Sequence, residues 1–354
     1  MTKFDKGIGR RGVLKGMAAT AGLSTLGMPS IVRAQSAGTA VVGTWGGDYA
    51  RLLNKNIEQP FLIDKGWEVL QDQAGDPERR AKMMAERRLP TGTTDVQGLN
   101  GPNMYQVFEL GLTQEIDYSK IPNAENLIPS MKYKYGVGHI YSAMVPVYNP
   151  DIIPEDEAPT SYADVFNPKW GDKLGIIDIQ YQYTIVAAAL AAGGGVTDFE
   201  AGKELLMKVR EAGARIYPTN EAFAQGMKAE EIGIGIMWKA RVVQWQNAGI
   251  PVKAAWPSEG ALSYVSGFVV PKNAPHPEGA WAYLNAMLEP AAQENFAIDM
   301  GYNPTVTNAE VAPDLNERIG FKPEEIEQLN SMDFGAMLDA DVELKNWWDR
   351  EFKA

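Results

Sequence analysis

Cysteine is absent from the 354 residues, and histidine occurs only twice, as His139 and His276. The first absence excludes disulfides, thiolate metal sites and a cysteine nucleophile, and with them a lipid anchor built on cysteine. The second excludes a metal site of three histidines. No G-x-S-x-G occurs, so no serine nucleophile is marked by sequence. Beyond the N-terminal region no apolar run reaches the length of a membrane span. Positive charge is short as well: 33 Lys and Arg stand against 45 Asp and Glu, for a net charge of −12. That balance disfavours nucleic acid and anionic membranes as partners. What is present is 45% hydrophobic and 22% charged residues, ordinary for a globular chain but too long for one core, so two domains are expected. Nothing in the sequence calls for a cofactor.

The N-terminus reads as an export signal over residues 1–34. Arg10 and Arg11 precede a weakly apolar, Gly/Ala-rich stretch, and Val32 and Ala34 fit a small-residue cleavage site before Gln35. The run from Gly9 to Lys15 resembles the twin-arginine export motif; a general secretory signal carrying two arginines is the alternative. These 34 residues hold six basic side chains and one acidic one, so their removal moves the net charge from −12 to −17. The expected product is a soluble exported protein.

Strand and helix patterns alternate along the rest of the chain. Residues 39–44 read as a strand, followed by a turn at Trp45-Gly46-Gly47-Asp48-Tyr49 that opens a helix with Asp48 as its N-cap. A second strand is expected at 67–72, a helix from Asp76-Pro77 through 88, a third strand at 94–99 ending in a loop over 98–103, and a helix at 104–110. This alternation predicts a parallel, doubly wound sheet. The apolar run 140–148 reads as a first crossing between two lobes. Strands at 174–179 and 214–217 and helices at 184–192, 200–209 and 220–227 build the second lobe. The segment 232–271 then reads strand, helix, strand, strand and crosses back. It places Trp238, Trp256 and Tyr264 at strand ends or in turns, the edge where open α/β sheets bind ligands. Residues 277–289 read as a helix and 310–353 as a largely helical tail.

The segment from Trp256 to Pro290, WPSEGALSYVSGFVVPKNAPHPEGAWAYLNAMLEP, resembles the periplasmic solute-binding proteins of ABC importers, most of all the spermidine/putrescine-binding type. The Gly301–Thr305 run GYNPT and the Trp45–Tyr49 run WGGDY fit as well, so the likeness spans most of residues 40–306. It implies an α/β, bilobal periplasmic-binding-protein fold of type II, with two doubly wound lobes joined by a two-crossover hinge. The expected division is 35–145 with 262–308 as lobe one, 146–261 as lobe two, and 309–354 as a helical segment packed on the lobes. The implied function is capture of a small amine-bearing solute by a monomeric receptor, and its delivery to an ABC permease.

A receptor cleft needs rigid aromatic walls and a few polar anchors, and π-faces attract ammonium groups. The candidate ligand-binding residues are Trp45, Gly47, Asp48, Tyr49 and Asn100 from lobe one, with Tyr181 and Tyr183 between a strand and a helix of lobe two. Trp238, Arg241, Trp256, Glu259 and Tyr264 come from the crossing segment. Each has a plainer reading: packing for the aromatics, a tight turn for Gly47, capping for Asp48, a turn for Asn100, a solvated turn for Glu259 and surface exposure for Arg241. At the positions where polyamine receptors carry acids, the resemblance gives Tyr181, Thr184 and Ser266 here. A dication would lack its counter-charges, so the cargo is expected to be a monoamine, a zwitterion or an acid. The competing readings are a receptor for a small carboxylate or a metal ion and, more remotely, an enzyme on the same fold.

Overall fold

The computed structural model describes residues 37–354; the expected export signal over 1–34 lies outside the described residues. Among the described residues ten strands follow one another: β1 (Gly38–Thr44), β2 (Trp67–Gln73), β3 (Val96–Asn100), β4 (Val137–Tyr148), β5 (Gly175–Ile177), β6 (Arg215–Tyr217), β7 (Ile234–Trp238), β8 (Lys253–Ala254), β9 (Leu262–Val269) and β10 (Asn303–Pro304).

β4 organises the molecule. Its first part pairs antiparallel with β9, from Val137 opposite Phe268 to Met144 opposite Leu262, while its last part pairs with β7, from Met144 opposite Trp238 to Tyr148 opposite Ile234. It therefore feeds two separate cores. Val137 and Ile140 pack with Val42, Phe268 and Tyr283 in one; Val145, Val147 and Tyr148 pack with Ile185, Phe223 and Trp238 in the other. Burial on both faces explains its near-continuous apolar sequence. The result is an α/β, bilobal architecture with two strands, β4 and β9, at the junction.

The first lobe departs from the expected all-parallel sheet. β2, β1 and β3 are parallel, but β9 returns antiparallel beside β3 and β4 antiparallel beside β9, because both arrive from the junction rather than from a right-handed crossover helix. In the second lobe β5 and β6 are parallel, and Leu174 bridges Ile234 in parallel, so the order is β6, β5, β7. Each of these strands runs directly into a helix: Tyr181–Ala191 after a short turn, Asn220–Lys228 and Lys239–Asn247. Three helix N-termini thereby gather at one sheet edge.

Several boundaries differ from the sequence reading. The first helix, Gly47–Leu53, is preceded by Gly46 with no side-chain cap, and Asp48 instead pairs with Arg51 at 3.1 Å. Gly47 holds φ +68°, a left-handed conformation that glycine adopts without steric cost. The helix Asp76–Glu86 is capped by Gly75, so Asp76 is its first residue and not its cap. The loop expected at 98–103 is not there: β3 extends to Asn100, whose Oδ1 accepts from the Asn103 amide at 3.0 Å and caps the helix Gly101–Glu109. Tyr181 and Tyr183 lie inside the first turn of their helix, not before it. The strand expected directly after the helix of the 232–271 segment shrinks to β8, which leaves Trp256 in a loop.

The tail is helical as expected, through Pro313–Ile319, Pro323–Glu327 and Phe334–Trp347. It ends in the second core, where Trp348 and Phe352 are fully buried and the Trp348 indole donates to Asp178 at 2.7 Å.

Candidate functional site

Trp238 ends β7, and β4 carries it against β9. There its ring stacks on Tyr264 with centroids 4.2 Å apart and an interplanar angle of 30°. Tyr183, in the first turn of its helix, meets the Trp238 ring edge-on at 4.7 Å and Tyr264 at 6.0 Å. Tyr302 closes the group, 5.9 Å from Tyr264. Tyr264 packs against both cores, so this cluster stands where the lobes meet. Burial raises the phenol pKa values of Tyr183 and Tyr264, keeping both neutral. Among the described residues neither the Trp238 indole N–H nor the Tyr183 hydroxyl has a hydrogen-bond partner. The arrangement offers aromatic faces and polar tips, and no carboxylate.

The first lobe contributes a second wall. Trp45 follows β1 and is half-buried, and Tyr49 meets it edge-on at 5.2 Å. The Arg79 guanidinium lies 4.7 Å from the Trp45 ring. Arg79 is fully buried and held by Gly98 O at 2.5 Å, Gln97 Oε1 at 3.1 Å and Asp76 Oδ1 at 2.8 Å. Burial lowers its pKa and raises that of Asp76, and each opposes the other's shift by its charge. The Tyr49 hydroxyl lies 3.0 Å from Nδ1 of His139. His139 is completely buried, and burial pushes its pKa down to about 3, so the ring is neutral. Ser266 is buried between the walls; its hydroxyl donates to Leu99 O at 3.2 Å, and its hydrogen bonding favours the ionised forms of Tyr49 and Tyr264 against the larger effect of burial.

Arg241 lies on the helix after Trp238, beside Tyr302, whose phenol pKa its positive charge lowers against the larger effect of burial. Its Nη1 donates to Gln244 at 2.7 Å, and its Nη2 lies 3.8 Å from Glu221.

The other expected site residues are committed elsewhere. The Tyr181 hydroxyl donates to Asp341 of the tail at 2.5 Å, with Trp348 6.1 Å from its ring. Trp256 donates to Gln328 at 3.0 Å and packs on Phe321, both from the tail. Glu259 accepts from the amides of Tyr162 and Ala163, each at 3.0 Å, and so holds the start of a helical turn. Asn100 is a helix cap, Asp48 an exposed partner of Arg51, and Gly47 the exposed first residue of its helix.

Sequence reasoning missed Tyr302, Arg79 and His139. A signal for Tyr302 existed in GYNPT. Gly301 takes φ +74°, and a Cβ there would meet the Ala240 carbonyl at 2.7 Å; this close approach sets Tyr302 against the Arg241 helix. Nothing local marked Arg79, one of several charged residues on its helix, or His139, a lone histidine in an apolar strand.

Residues 57–323 match the sequence pattern of the bacterial extracellular solute-binding proteins. The spermidine/putrescine-binding periplasmic protein of Salmonella typhimurium is 30% identical over 253 residues, spanning 67% of this chain and 69% of the relative. Among solved structures, the Atu4243 GABA receptor superposes with a TM-score of 0.78 at 21% identity, covering 89% of this chain and 98% of the other. AgtB of A. tumefaciens, solved with agropinic acid, gives 0.76 at 21% identity, covering 90% and 100%. These two show the shared fold. No helix among the described residues is long and apolar enough to cross a membrane. With the sequence match, the bilobal architecture and an aromatic cluster at the junction all in agreement, the chain belongs to the bacterial extracellular solute-binding protein family.

Proposed function

We propose that this chain is the periplasmic receptor of an ABC importer for a small amine-bearing solute with at most one net positive charge, and that it acts without catalysis, as a soluble monomer. The observation that carries this reading is the Trp238–Tyr264 stack, flanked by Tyr183 and Tyr302, at the meeting of the lobes. Aromatic faces hold an ammonium with about 0.5–2 kcal/mol each, more as water is excluded, and their area accepts a short hydrocarbon body. The polyamine-binding relatives supply the amine class. The uncharged Tyr181, Thr184 and Ser266 argue against a dication held at both ends. Lobe one is taken as 35–145 with 262–308 and lobe two as 146–261, hinged near Tyr148 and Ala261 and closing on the solute.

The test is a thermal-shift screen of the mature protein against polyamines, monoamines, amino acids and carboxylates, followed by solution scattering. A solute at 100 times its Kd is expected to stabilise the protein by about 2.7 kcal/mol and to reduce its radius of gyration. A stabilising solute that leaves the scattering curve unchanged counts against a clamping receptor.

A further inference from the structure

We infer that Arg241 receives the carboxylate of the bound solute, which makes the ligand a small amino acid rather than a polyamine. The inference rests on the receptor reading above and names the polar end of that same site.

The guanidinium presents two forks. The one that pairs Nε with Nη2 is the side-on fork that binds a carboxylate through two parallel hydrogen bonds. In Arg241 this fork is open. Nε is buried and has no hydrogen-bond partner. Nη2 has Glu221 at 3.8 Å, beyond hydrogen-bond distance, and the Glu221 side chain is 70% exposed against 16% for Arg241. Water therefore competes for the carboxylate of Glu221 while the arginine stays mostly dry. The remaining nitrogen, Nη1, is occupied by Gln244. A buried cationic donor without an acceptor is costly, and a ligand carboxylate is the acceptor of matching shape and charge.

Position supports the same assignment. Arg241 adjoins Tyr302, and Tyr302 adjoins the Tyr264–Trp238 stack, so a carboxylate on the fork leaves the rest of a short solute against the rings. A second unpaired atom stands nearby with the opposite polarity. Gln180 is 5% exposed, and its Oε1 has no partner. Its Nε2 donates at 2.6 Å to Asn220, the neighbour of Glu221. An open donor fork and an open acceptor at one sheet edge suit a molecule with both a carboxylate and an ammonium. A polyamine has nothing to offer the fork.

The experiment is calorimetry with the mature protein and its Arg241→Gln and Arg241→Lys variants. The probes are the common α-amino acids, β-alanine, γ-aminobutyrate, 5-aminovalerate, butylamine, butyrate, putrescine and spermidine. The expected result is that an amino acid binds tightest, that Arg241→Gln weakens it about 30-fold or more, and that Arg241→Lys recovers only part of the loss. Discrimination between that amino acid and its decarboxylated amine should collapse in Arg241→Gln. Melting temperatures within a few degrees of the parent show that the variants are folded. An amino acid bound equally by parent and Arg241→Gln overturns the inference and leaves the receptor reading intact. Tightest binding of putrescine or spermidine overturns the inference together with the limit of one positive charge, and leaves only the importer-receptor role. No binding by any probe overturns both.

Discussion

Two sets of aromatic side chains in this protein have the same sequence signature and different fates. Trp256, Tyr181 and Tyr49 are tied by their polar tips, to Gln328, Asp341 and His139 respectively. Trp238 and Tyr183 are held by ring contacts with one another and with Tyr264, and their polar tips carry no intramolecular bond among the described residues. An aromatic whose hydrogen bond is satisfied within the protein is part of the scaffold. One packed by its edges, with its donor free, retains the capacity to recognise something else. Being at a strand end or a helix start brings an aromatic to the right edge of the sheet, but it does not decide which of the two roles follows.

Removing the tail's anchor would break the comparison most forcefully. Trp348 is fully buried and fixes the end of the segment whose Asp341 holds Tyr181. Trp348→Ala is expected to cost about 3–5 kcal/mol of stability, measured by denaturant unfolding. A loss below about 1 kcal/mol would show that the tail is not part of the second core.

Binding sharpens it. Trp238→Ala should weaken the best-bound solute about 30-fold, the effect of a central aromatic anchor of roughly 2 kcal/mol. Trp256→Ala, whose indole is covered by Phe321 and bonded to Gln328, should change the Kd less than about threefold. Equal effects in calorimetry would erase the distinction between the two sets.

The third probe addresses the tie between Tyr49 and His139. The folded-state pKa of His139 is about 3 against an ordinary value of 6.5. The unfolded chain therefore binds this proton more readily, and acid favours unfolding. The contribution is complete above pH 6.5 and declines as pH falls toward 3. Between pH 7 and pH 5 the loss should be about 2 kcal/mol. In His139→Gln that part of the pH dependence should vanish; an unchanged slope of stability against pH would mean that this ring takes up its proton as readily in the folded chain as in the unfolded one.

Much of the fold was legible because it rests on short-range periodicity. The expected strand from Ser263 to Val270 falls on β9 to within one residue at each end, and the helix after Trp238 stops at Gly249, which adopts φ +72°. The sheet's mixed direction was not legible, since β3 pairs with β9 across more than 150 intervening residues. The site divided along the same line. Trp238 and Tyr264 were found because strand ends are local features. The covering of Tyr181 and Trp256 was hidden because the tail residues that bind them lie 160 and 72 positions away. Asp48 misled because an aspartate at a helix start usually caps it, whereas here the flexible Gly46-Gly47 pair lets the helix begin two residues earlier.

The pairing of β3 with β9 also sets an order of events during synthesis. Residues 100 to 262 must be made before the two strands can meet. Everything needed for β5, β6 and β7 emerges in that interval, while β3 waits with one edge open. Closing so long a loop adds little to the entropic cost, which grows only with the logarithm of length, but it makes the pairing late and slow. A nascent chain stopped just before Leu262 should therefore hold β3 without its β9 partner and the second core without Trp348 and Phe352. The wiring is a built-in clock: neither lobe is complete until a later part of the chain returns to it.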